Sequence, residues 1–188
     1  MSSMLSGFFS KGKSASAGTT TANVTESPHS SRTPITMKES MELSSFTKEN
    51  TKLMSLEGKV YTAKIVYIYD GDTMHVVFKE FGEFYRWNCR ISGVDTPELR
   101  TKNAAEKEMG YKVRDHLRGG LMNVVVKIKC GEFDKYGRLL IDVFMPEHML
   151  DNPDEPKMLS EWLIDHKYAY AYGGGTKQSW DDFSGNST

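Results

Sequence analysis

Two cysteines in 188 residues, Cys89 and Cys130, cannot build a disulfide scaffold; both sit in strand-like runs and read as small buried hydrophobes. No stretch approaches the roughly 18 consecutive apolar residues that span a bilayer. The N-terminal apolar patch, Met4-Leu5 and Phe8-Phe9, is too short and too interrupted for a secretory core. A surplus of charge is missing too. The net charge is −1, and residues 58–172 hold 17 Lys+Arg against 18 Asp+Glu. Proteins that coat nucleic acid by neutralising phosphate are usually basic, so a passive coat is disfavoured. An enzyme that focuses a few arginines on one phosphate is not. Acidic residues are absent before Glu26 and arginine is absent before Arg32.

Residues 1–57 differ in kind from the rest of the chain. Positions 14–33 are almost wholly Ser, Thr, Ala, Gly and Asn, with too little to bury to offset ordering entropy, so a disordered tail is expected. A loose helix over 38–54, through Leu43, Phe46, Leu53 and Met54, is the one element expected there. The tail could serve targeting or docking. Its sequon, Asn23-Val24-Thr25, matters only in a secreted chain. With neither a secretory signal nor a spanning segment recognised, an intracellular protein is the expectation.

From Gly58 the pattern turns to strands. Val60–Tyr69 is β-branched and aromatic, Asp70-Gly71 offers a hairpin turn, and Met74, Val76 and Phe78 then share one face. In Phe84–Ser92, period-two alternation sets Arg90 opposite Tyr85, Trp87, Cys89 and Ile91. Residues 103–118 carry a helical stripe, Ala105, Met109, Val113 and Leu117, with Asn103 as cap and Gly119-Gly120 as stop. Two strands follow, through Val124–Cys130 and Leu139–Met145. After the acidic loop Pro146–Pro156 comes a short helix through Met158, Leu159, Trp162 and Leu163. Five strands, a helix between the third and fourth and a helix after the fifth predict an α+β, mainly β fold. The expected architecture is a five-stranded Greek-key barrel of the OB type over residues 58–188.

Three charged clusters stand out: Asp70-Gly71-Asp72-Thr73, Arg90 with Asp95-Thr96-Pro97-Glu98, and Asp134-Lys135-Tyr136-Gly137-Arg138. Each alone suits a turn or a helix cap. Together they supply hard oxygen donors for a divalent cation, a spare carboxylate and two guanidinium groups, the parts that phosphodiester cleavage requires.

In that order, and with Lys167-Tyr168-Ala169-Tyr170-Ala171-Tyr172 behind them, these motifs resemble the staphylococcal nuclease (thermonuclease) family over roughly residues 58–172. The resemblance implies a calcium-dependent nuclease that cuts DNA and/or RNA with low sequence specificity, leaving 3′-phosphate ends. It further implies Asp72, Asp95 and the Thr96 carbonyl as calcium ligands, with Asp70 shaping the metal's water shell. Glu98 matches the general base, and Arg90 and Arg138 match the pair that grips the scissile phosphate. Lys135 and Tyr136 match contacts to a neighbouring phosphate, Tyr170 and Tyr172 aromatics beside the nucleotide. A monomer with no small-molecule cofactor is expected. The alternative is a related non-catalytic module that binds nucleic acid or protein. Two departures stand out: too little chain follows Tyr172 for the family's substantial third helix, and the loop 146–156 is longer than usual.

Overall fold

The computed structural model describes residues 34–175 and 178–185, which fall into two compact units, residues up to Thr51 and from Lys52 onward. The expected disordered stretch 14–33 and the Asn23 sequon lie outside the described residues.

In the first unit the helix is shorter than expected. α1 spans Met37–Leu43 and opens on a capping box, in which Thr36 Oγ1 accepts from Glu39 N at 3.2 Å and Thr36 N donates to Glu39 at 2.9 Å. Seven residues is a marginal helix without packing, and no described residue of this unit is buried. Phe46 lies beyond its end.

The second unit is built on a closed five-stranded barrel. Its strands are β1 (Val60–Ile68), β2 (Thr73–Glu80), β3 (Glu83–Ile91), β5 (Val125–Phe133) and β6 (Leu139–Val143), in the order β1-β2-β3-β6-β5. β1–β2, β2–β3, β5–β6 and β1–β5 are antiparallel, and the parallel pairing of β3 with β6 closes the barrel. A parallel pair needs a long crossover, here supplied by the helix α2, Ala104–Leu121, and β5. The inward faces follow the period-two reading. Ile65, Met74, Val76, Phe78, Cys89, Ile91, Ile128, Leu139, Ile141 and Val143 have no exposed surface. A bulge between Ile65 and Tyr67 resets the alternation so that Ile68 also turns inward. Leu56, ahead of β1, is buried in the same core. Both cysteines are free and buried, and burial raises their thiol pKa values, that of Cys130 to about 11.

Helix α2 spans Ala104–Leu121, so it runs through the glycine pair expected to stop it. Asn103 caps it, accepting from Ala105 N and Glu106 N. Two contacts explain the difference. Leu121 is fully buried, and Gly120 packs so closely on the Met149 thioether that a Cβ there would push it aside. The buried stripe is Gly110, Val113, Leu117 and Leu121, and Ala105 is exposed. Gly110 follows the same logic as Gly120, since a Cβ there would lie 2.8 Å from the Pro97 carbonyl oxygen. After a 3-10 turn at Glu147–Met149, α3 (Leu159–Asp165) adds Leu159, Trp162 and Leu163 to the core. A two-stranded ribbon, absent from the expectation, pairs β4 (Val94–Asp95) with β7 (Tyr170–Ala171). Beyond it α4 is six residues long, Trp180–Gly185, in place of a substantial helix.

Candidate active site

The first charged cluster forms the β1–β2 turn. Asp70 Oδ1 accepts from Asp72 N at 3.1 Å and Thr73 N at 2.7 Å, which folds the turn around its first carboxylate. Gly71 does not adopt a positive φ. It is needed for proximity, because a Cβ would sit 2.8 Å from the Thr96 side chain. That close approach sets the first cluster directly against the second.

Arg90 joins them. The register Thr73↔Arg90 places it beside the end of the turn, and the alternation of β3 points it away from the core. Its Nη1 donates to Asp72 Oδ2, and its Nη2 to Asp95 Oδ1 at 2.9 Å and to the Val94 carbonyl at 3.0 Å. The side chain is only 13% exposed, and Asp72 and Asp95 are buried. Burial and the charge of Asp70 push the Asp72 carboxyl up to about 7, against the pull of Arg90 and Thr73. Burial opposes the charged guanidinium, yet Asp72 and Asp95 hold its pKa above the ordinary value. Behind this network, Tyr170 donates its hydroxyl to Asp95 Oδ2 at 2.6 Å, as expected from the pairing Asp95↔Tyr170.

The third cluster is the β5–β6 loop, which folds on itself. Asp134 Oδ1 accepts from Tyr136 N at 2.8 Å and Arg138 N at 2.9 Å, and Oδ2 accepts from Arg138 Nε at 2.7 Å. Gly137 adopts φ 76°, a conformation that a side chain would strain. Burial works against the Asp134 charge, but the bonds from Arg138 and Tyr136 win and lower its pKa. Arg138 Nη1 lies 3.3 Å from Thr73 Oγ1, which itself donates to Asp72 Oδ1 at 2.9 Å. Lys135 and Arg138 both approach the exposed Tyr136 ring, at 5.1 and 5.6 Å.

Between these parts runs a groove of about 820 Å³. Asp70, Asp72, Arg90, Thr96, Glu98, Lys135, Tyr136, Arg138 and Tyr172 all line it. Tyr172 also lies under the Arg90 guanidinium, 5.9 Å away. Asp95 and Tyr170 instead line a small adjoining cavity with Trp180 and Phe183. Glu98 borders both spaces. Among the described residues, no three His, Cys, Asp or Glu side chains are grouped to cage a metal unaided. The oxygen donors at hand are the carboxylates of Asp72 and Asp95, with Thr96 lining the groove beside Asp72. They are hard donors, and the Asp72 and Asp95 carboxylates are brought together by the Arg90 guanidinium that bonds both. This donor set suits a calcium ion.

Sequence reasoning left three contributors without a role. Asp134 positions Arg138, Thr73 bridges Asp72 and Arg138, and Gly71 lets the turn close on Thr96. The Asp-x-x-Gly spacing of the loop was a readable signal for the first. The other two depend on contacts across the fold.

The family model for staphylococcal nuclease homologues matches residues 88–182, half of the chain. The chain belongs to this family. The matched span of the nuclease-like domain begins within β3, so it includes Arg90, Asp95, Glu98 and Arg138, and Asp72 precedes it. An uncharacterised protein of Methanocaldococcus jannaschii is 31% identical, over 60% of this chain and 59% of its own length. A thermonuclease of Staphylococcus hyicus is 30% identical, over 57% of this chain and 60% of its own. The nuclease-like chain thus spans about 60% of the length of the curated relatives it matches.

Proposed function

We propose that residues 58–188 form a calcium-dependent nuclease that hydrolyses DNA and/or RNA with low sequence specificity and leaves 3′-phosphate ends. The observation that carries this reading is the single groove in which Arg90, Arg138 and Glu98 face the Asp72 turn. Asp72, Asp95 and the Thr96 carbonyl would hold the cation, with Asp70 ordering water beside it. When bound, calcium supplies positive charge for a phosphate oxygen and a binding position for water.

The remaining chemistry belongs to the chain. Exposed on the groove, Glu98 accepts the proton of a water whose oxygen bonds to phosphorus while the P–O5′ bond breaks. The departing 5′ oxygen takes a proton from solvent, and the phosphate stays on the 3′ side. As phosphorus becomes five-coordinate, charge grows on its equatorial oxygens. The guanidinium forks of Arg90 and Arg138 stabilise that charge more than they stabilise the ground state. Lysine lacks the planar fork and would substitute poorly. Lys135 and Tyr136 fit a neighbouring phosphate, and Tyr172 offers a flat face for the nucleotide. Tyr170 acts by holding Asp95.

Plasmid DNA and total RNA incubated with calcium or with a chelator test the proposal. Degradation with calcium alone is expected; none with any divalent ion would count decisively against it. A second reading, a binding module without catalysis, is favoured by one observation: Arg90 already closes on both candidate ligands, Asp72 and Asp95. Glu98→Gln separates the two. A nuclease should lose about 10²–10⁴ in rate with its nucleic-acid affinity retained, whereas a module has no rate to lose.

A further inference from the structure

Although the net charge is close to zero, the charge is unevenly placed on the barrel. Along β5, β1, β2 and β3, the residues that alternate with the core positions face outward, and beyond Glu132, past the bulge near the end of β5, none of them is Asp or Glu. Besides Arg90 five of them are cations, Lys127, Lys129, Lys64, Lys79 and Arg86, all exposed. The registers Lys64↔Val77 and Val77↔Arg86 put Lys64 and Arg86 in one row, two strands and about 10 Å apart. Phe84 stands 72% exposed in the next row, opposite Lys79, whose ammonium lies 6.0 Å from the ring.

Most of the neighbouring carboxylates are engaged, Glu132 by the Ser55 hydroxyl at 2.7 Å. Glu80, at the end of β2, takes Lys59 and the Tyr61 hydroxyl. Asp142, across from Lys129 on β6, accepts from the backbone and hydroxyl of Ser160. Glu83 sits at the hairpin end, opposite Glu80. The cationic face is also continuous with the groove, because Arg86 and Arg90 share one side of β3, about 14 Å apart.

We propose that this outer sheet face is a second nucleic-acid contact, a track that holds a polynucleotide strand running on from the groove past Arg86 to Lys79 and Lys64. It rests on the nuclease reading for its ligand class, and charge complementarity selects a polyanion. Exposed aromatic surface beside the cations suits stacked bases.

The test measures binding of a labelled 30-nucleotide single strand, in chelator, against salt. The triple variant Lys64→Glu/Lys79→Glu/Arg86→Glu should weaken binding at least tenfold. Replacement by Gln at the same positions should lower the slope of log affinity against log salt by about 2, and it serves in place of the reversal should that fail to fold. Lys107→Glu/Lys112→Glu, on α2, should change affinity less than twofold. Unchanged binding by the triple variants, an equal loss in the α2 control, or wild-type binding to anionic phospholipid vesicles but not to the strand would each overturn the track. Cleavage of a tetranucleotide, too short to reach the face, should stay within twofold in the triple variants. If the wild type cleaves nothing yet the binding pattern holds, the track stands and the nuclease reading falls.

Discussion

The two walls of the groove each present one arginine, and they are built in opposite ways. Arg90 ties near to far: Val94 and Asp95 lie four and five residues on in the β4 ribbon, and Asp72 lies eighteen residues back at the entry to β2. The Tyr170 hydroxyl, seventy-five residues along from Asp95, holds that carboxylate in turn. Arg138 is held within five residues by Asp134, with Thr73 as a more distant neighbour in sequence. The first wall therefore depends on the barrel and the barrel on it, because buried carboxylates stripped of their counter-charge are costly. The second is a self-contained loop whose loss leaves the core intact. Preorganisation for an anion can come from the fold or from a local turn, and this groove uses both.

The largest effects should come from removing each guanidinium. Arg90→Ala and Arg138→Ala should each cost about 10²–10³ in rate. They should part in urea denaturation, where Arg90→Ala loses about 3–5 kcal/mol and Arg138→Ala no more than about 1 kcal/mol. Equal losses of stability would break the comparison. The wall glycines come next. Gly71→Ala drives a methyl into Thr96 and should destabilise by about 1–3 kcal/mol. Gly137→Ala meets no neighbour but strains a positive φ, for about 1–2 kcal/mol. Only the former should also displace the Asp72 turn, read as lost calcium affinity.

Asp134→Asn should lower the rate about tenfold, by loosening Arg138, with stability at neutral pH changed by about 1 kcal/mol or less. Its sign with pH is fixed. The folded pKa lies below the unfolded value of about 3.9, so the carboxylate's contribution is complete above that value. It is lost as pH falls through the folded one. Urea midpoints of wild type and variant should therefore stay a constant distance apart down to about pH 5 and converge as pH falls below about 4. The smallest effect is expected away from both walls: Gly119→Ala, in open space within α2, should stabilise by about 0.5–1 kcal/mol in thermal unfolding.

Period-two patterning was enough to read the barrel's inward faces and to turn Arg90 from the core, because alternation is a property of each strand alone. It was not enough for α2. Gly119-Gly120 looks like a stop until Met149, nearly thirty residues away, is seen to need the missing side chain. The ribbon β4–β7 escaped for the same reason: two-residue strands carry no periodicity and exist only through each other. Within the candidate site, side chains on one turn were readable as a group. The burial of Asp95 behind Arg90, and the turning of Tyr170 toward it instead of the groove, depend on partners seventy-five residues apart.

That last pairing has a consequence for biosynthesis. Asp95 is made seventy-five residues before Tyr170, whose strand, Tyr170–Ala171, clamps it. Until those residues are released, neither the ribbon nor the hydroxyl that steadies Asp95 can be in place. A chain truncated upstream of residue 170 thus holds Asp95 without the ribbon and the hydroxyl that fix its carboxylate in the folded protein.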